Sequence, residues 1–249
     1  MLRDRYHHEM QSLEDRTLDL GRTVAGAVYE AADAFVHLDR ERAEAIVRRD
    51  KAVNRERLAI QSSVLTLIAT QQPVASDVRL LAAILESVAE IERIGDYAKG
   101  IASITQKVEG EPFPPAVLGM LLEMAELARS MLRRCLDAFQ ERDAATAVQI
   151  ITEDDAVDVL FKEAFRTVLG YGAGDPQTLE AANYLLWVAH NLERTADRVT
   201  NIGESVLYLV SGELVSGRKM AVDEFLSSLQ GSAAQEPEGD DVAPGAEEA

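Results

Sequence analysis

The stretches AEIERIGDYAKGI, residues 89–101, and HNLERTADRVTNI, residues 190–202, share one frame, an Ile or Leu followed by Glu-Arg-x-x-Asp, set 101 residues apart. Each places a Glu and an Asp four positions apart, Glu92 with Asp96 and Glu193 with Asp197. On an α-helix that spacing stacks the two side chains on one face, about one turn apart. Carboxylates held side by side repel each other, so a pair kept in both halves of the chain points to a use for it.

Outward from these stretches the rest of the chain repeats as well. At an offset of 104, DAF at 33–35 matches DAF at 137–139, Asp39 matches Asp143, Ala43 matches Ala147, and DKAVN at 50–54 matches DDAVD at 154–158. Beyond these positions the offset falls to 101, which brings IERIGD onto LERTAD. Apolar residues recur every three or four positions almost throughout, with no sustained alternation of the kind a strand requires. Helices are expected over 5–37, 40–71, 74–107, 115–141, 143–170 and 176–211. The breaks between them fall at Asp39, Pro73, GEPFPP (110–115), Asp143 and GYGAGDP (170–176). The fold class is therefore all-α, with two tandem three-helix bundles of long, spectrin-repeat-like helices at 1–110 and 114–215. Residues 230–249 carry six acidic side chains and no Lys or Arg, and are expected to form a disordered tail.

The repeat exposes a second set of oxygen-bearing pairs on the middle helix of each bundle, Asp50 with Asn54 and Asp154 with Asp158. Middle and third helices are antiparallel neighbours, so a residue some 20 positions before the loop, such as Asn54, is expected to face one some 20 after it, such as Glu92. Each bundle then gathers four oxygen ligands at one level. That set suits hard cations, with Mg²⁺, Ca²⁺, Mn²⁺ or iron as candidates. The plainer reading is a solvated helix face, with the carboxylates paired to Arg93 and Arg194. His190 precedes Glu193 by three, whereas ferritin-like iron sites place His three residues after Glu. Its counterpart in the first repeat is Ala89, so His190 is read as structural. Trp187, Tyr184 and Cys135 are expected to be core residues.

Composition narrows the function classes. With 43 acidic and 25 basic residues the net charge is −18, which repels nucleic acid and anionic lipid and favours cations or basic protein surfaces. One cysteine excludes an intramolecular disulfide and a Cys-based zinc site. The N-terminus has no leader-like apolar stretch, and the longest apolar runs are too short to span a bilayer. A cytoplasmic protein is expected. No phosphate-cradling Gly-rich loop, nucleophile elbow or Ser/His/Cys array is present, so catalysis is not expected.

TQQPVASDVRLL at 70–81, followed by AEIERIGDYA at 89–98, resembles the PhoU family over roughly residues 8–212. The resemblance implies two three-helix bundles that bind clusters of metal ions through paired acidic motifs. It implies ligands at Asp50, Asn54, Glu92 and Asp96 in the first bundle and at Asp154, Asp158, Glu193 and Asp197 in the second, with Asn201 extending the second motif by a turn. Iron, zinc, manganese and magnesium are the metals it leaves open. Asn54 is neutral, and Gly100 stands where the second repeat has Asn201, which argues against equal occupancy. The resemblance further implies a cytoplasmic negative regulator of phosphate uptake and phosphate-starvation signalling, a homodimer without enzymatic activity. Its partners would be the ATPase subunit of a phosphate ABC importer and a phosphate-sensing histidine kinase, with the membrane reached only through them. The alternative is a helical carboxylate metalloprotein that stores metal or performs redox chemistry.

The acidic segment offers almost nothing to bury. Deleting residues 230–249 removes six of the eighteen net negative charges and should leave a single cooperative melt; loss of cooperativity in calorimetry would show that the segment packs.

Overall fold

The structure, a computed structural model, describes residues 2–109, 113–172 and 178–214; the acidic segment 230–249 lies outside the described residues. Within them the chain forms six helices and no strand: α1 (Leu2–Val36), α2 (Arg40–Gln71), α3 (Ala75–Thr105), α4 (Pro115–Glu141), α5 (Ala144–Gly172) and α6 (Thr178–Ser211). The two short α-hairpin turns are built alike. Leu38 and Arg142, at equivalent positions, adopt left-handed backbone with φ 51° and 59°. Asp39 N–H then reaches back to the Ala34 carbonyl (2.8 Å) and Asp143 N–H to that of Ala138 (2.9 Å). These are Schellman closures made without glycine. The same Asp residues cap the next helix, Asp39 accepting from Arg42 N–H at 3.0 Å and Asp143 from Thr146 N–H at 3.1 Å. Elsewhere α2 stops before Pro73, and α4 starts with Pro115 in its first turn, where a missing N–H costs nothing.

Burial sorts the helices into two kinds. In α2 only Ala43, Ile46, Val53, Ile60, Val64 and Leu67 are buried, a single stripe at three-, four- and seven-residue steps. In α3 and α6 the buried arc is far wider, with 13 and 15 residues. A one-stripe helix packs on one side only, whereas a broad arc marks a helix with neighbours on several. Accordingly α2 packs on α1 and α3, α5 packs on α4 and α6, and the two bundles join through α1 against α4 and α3 against α6. Phe35 and its repeat partner Phe139 are fully buried. Phe113 of the connection stacks on Phe35 with centroids 5.1 Å apart.

The union of the bundles follows the duplication. Across α3 and α6, Glu86 meets Ser205, Glu90 meets Asn201, and Gly100 lies against Asn191, so the two helices run antiparallel. Gly100 and Asn201 are repeat equivalents, as are Glu90 and Asn191, so the two contacts interchange under the internal repeat. Across α1 and α4, Arg142 forks onto the buried Glu14 at 2.6 and 3.0 Å, and Gly21 is pressed against Leu136.

A Cβ at Gly21 would stand 2.6 Å from Leu136 Cδ2 in a closed core. Gly21→Val should cost about 1–3 kcal/mol through overpacking, read as a lower Tm. Adding Leu136→Ala should recover part of that loss, a non-additivity that only direct α1–α4 contact produces.

Candidate functional site

The two expected ligand sets, on α2 and α3 and on α5 and α6, are not alike. In the first bundle Lys99 Nζ lies 2.7 Å from Asp50 Oδ2 and 3.4 Å from Asp96 Oδ1, joining the carboxylates of two helices through one ammonium. Hydrogen bonding to Asp50 is the main cause holding the Lys99 pKa above the ordinary lysine range, so the bridge is charged at neutral pH. Glu92 faces Arg57 at 3.8 Å, and Asn54 is exposed. From α2 it is Arg57 that pairs with Glu92, and from α3 it is Lys99 that pairs with Asp50. The expected partners Arg93 and Arg194 also have contacts outside the carboxylate sets. Arg93 pairs with Glu90 at 2.5 Å, and Arg194 lies over the Tyr97 ring at 5.3 Å.

In the second bundle Asp154 is buried at 2% exposure, on the core stripe of α5. Glu193 Oε2 is buried without a hydrogen-bond partner; His190 Nδ1 comes within 3.3 Å of it but outside hydrogen-bonding geometry. Burial first, then Asp197, push the Glu193 carboxyl above the ordinary glutamate range; Asp158 adds to the rise, while His190 and Arg194 oppose it. Asp158 and Asp197 thus act on Glu193 through space. Among the described residues no three Asp, Glu, His or Cys side chains stand close enough to form a ready-made metal cage, so an ion would have to draw these carboxylates together. The donor set suits such an ion. It has all-oxygen ligands, a buried carboxylate and an orphaned oxygen.

The Asn201 amide nitrogen donates to Glu90 across the bundle junction at 2.9 Å. Two side chains depart from expectation. Trp187 is 60% exposed, while its neighbours Val188 and Ala189 are buried. Tyr184 is half-buried and bonds Glu180 at 2.7 Å. His190 packs near Phe161, with centroids 6.2 Å apart. Cys135 is a packed residue as expected, fully buried, its thiol pushed up to about 12 by burial. Lys99 and Arg57 have no like residue in the second repeat. Their equivalents are Thr200 and Phe161, and the signal lay in that mismatch.

A profile of the PhoU domain matches the chain twice, over residues 17–105 and 121–206. The chain is 31% identical over 216 residues to a phosphate-specific transport system accessory protein PhoU homolog of Clostridium acetobutylicum, covering 86% of this chain and 98% of that one. It is 32% identical over 229 residues to the Escherichia coli K12 phosphate-specific transport system accessory protein PhoU, covering 91% and 92%. The crystal structure of the phosphate transport system regulatory protein PhoU from Streptococcus pneumoniae superposes with a TM-score of 0.79 at 30% identity, over 85% of this chain and all of that one.

Glu193 yields a pH-dependent test. A carboxyl whose pKa is raised by folding favours the fold below the ordinary glutamate pKa of about 4.3, and that contribution is lost as pH rises through the raised value. With metal chelated, Glu193→Gln should therefore raise Tm at pH 7, and the gain should vanish as pH falls toward 4; a gain independent of pH would rule out a charge-based origin.

Proposed function

The chain belongs to the PhoU family, and from that membership we propose that it is an accessory protein of a phosphate transport system that restrains uptake and starvation signalling when phosphate is plentiful. The carrying observation is that PhoU domain matches cover both bundles. In this reading it is a cytoplasmic homodimer that binds the ATPase subunit of the importer and a phosphate-sensing histidine kinase. The absence of a helix long and apolar enough to cross a membrane, among the described residues, accords with docking through partners. The negative charge of the chain favours basic surfaces on those partners.

The reading includes a divalent cation in the second bundle, held by Asp154, Asp158, Glu193 and Asp197. The bound ion supplies positive charge between α5 and α6. The protein side chains supply oxygen ligands, and Glu193 gains a partner for its orphaned Oε2. Asp197 and Asp158 crowd Glu193, and relief of that crowding by the ion favours binding.

Two measurements test this. Deleting the gene should raise phosphate-starvation gene expression in phosphate-rich medium, and unchanged expression there counts against the regulatory role. Asp197→Ala should abolish the tightest phase of a Mn²⁺ titration while leaving helical circular dichroism intact; an unaltered titration would leave the second carboxylate set without a metal role.

A further inference from the structure

The two bundles differ at the positions that face their carboxylates. In the first, Lys99 Nζ lies within 2.7 Å of Asp50 and 3.4 Å of Asp96, and the Arg57 guanidinium lies 3.8 Å from Glu92. In the second, the equivalent residues are Thr200, whose hydroxyl donates to the Asp197 carbonyl at 2.8 Å, and Phe161, which packs by ring contact near His190. Neither of these carries charge. We propose that Lys99 is a built-in counter-ion between Asp50 and Asp96, so that the first bundle closes on its own side chains and takes no divalent cation, leaving any metal response to the second bundle.

The argument is one of charge and space. The bridge lies where an ion held by α2 and α3 would have to lie, because Asp50 and Asp96 are the carboxylates contributed from opposite helices. Asp50 is only 10% exposed in its side chain while Lys99 is 39% and Asp96 51% exposed, so the bridge is screened least at its Asp50 end. An entering dication meets an ammonium already bonded to Asp50, a guanidinium beside Glu92, and a neutral, exposed Asn54 in place of a fourth carboxylate. The four residues therefore do not fit the metal site that the family resemblance assigns them. What the bridge does provide is a link between α2 and α3 independent of metal concentration. The proposal rests on the carboxylate reading of the second bundle only for the contrast between the two halves.

The experiment is calorimetric titration of the metal-stripped, full-length chain with Mn²⁺. Asp197→Asn blanks the second bundle. In that background Lys99→Thr, the residue of the second repeat, should create one Mn²⁺ site that a further Asp96→Asn removes. Removing a unit charge about 4 Å away should strengthen first-bundle binding by at least on the order of 100-fold. Lys99→Gln, which keeps most of the side-chain length, should do the same and serves if Lys99→Thr loosens the helices, with circular dichroism checking the fold. No gain in either Lys99 variant overturns the proposal. So does a site in the protein with Lys99 intact that Asp96→Asn abolishes, because the ammonium would then be yielding to the ion. A wild-type chain that binds no Mn²⁺ removes the second-bundle reading alone, since the Lys99 variants are scored against their own background.

Discussion

The antiparallel packing of α3 on α6 constrains everything else. Each of these helices must present one side to the other bundle and another to its own middle helix. The sequence meets both demands by phase. On α3, Glu86, Glu90 and Gly100 meet α6 while Glu92 pairs with Arg57 of α2. A shift of one residue rotates a helix by about 100° and would bring Ala89 or Ile91 to the junction in place of Glu90. Because the paired acids sit on the helices at the centre of the structure, a change in α2–α3 or α5–α6 spacing is mechanically close to the junction between bundles.

Charge near that junction is handled in two ways. Glu90 is satisfied several times over, by Arg93, Arg198 and Asn201, which fixes the register of α3 against α6. Burying charge costs free energy unless partners accompany it, and here the partners come from both bundles. The first carboxylate set follows the same logic with Lys99 and Arg57. In the second, Glu193 keeps a raised pKa and an orphaned oxygen. A duplicated scaffold thus carries one set with cationic partners from α2 and α3 beside one whose Glu193 is crowded by neighbouring carboxylates.

The outer helices face different demands. Since α2 and α5 each contact only one bundle face, their outer sides are free of packing constraints, and Leu58, Leu65, Val159 and Leu169 remain more than half exposed there. Single exposed apolar residues are ordinary on a helical surface, and nothing in their arrangement bears on the carboxylate sets.

By itself the sequence determined the six helices, their turns and the duplication, because these depend on local chemistry. Heptad-like spacing selects helix, Asp39 and Asp143 cap, prolines stop, and an offset between repeats needs no coordinates. It also identified the carboxylate pairs, since i, i+4 spacing fixes which side chains share a face. What only the tertiary structure decided is what meets that face from the neighbouring helix. The packing of α2 on α3 brings Arg57 to Glu92 and Lys99 to Asp50, and that of α3 on α6 brings the Asn201 amide to Glu90. Such contacts depend on how far one helix slides past another, a quantity set by the summed fit of many buried side chains, to which a single motif contributes little.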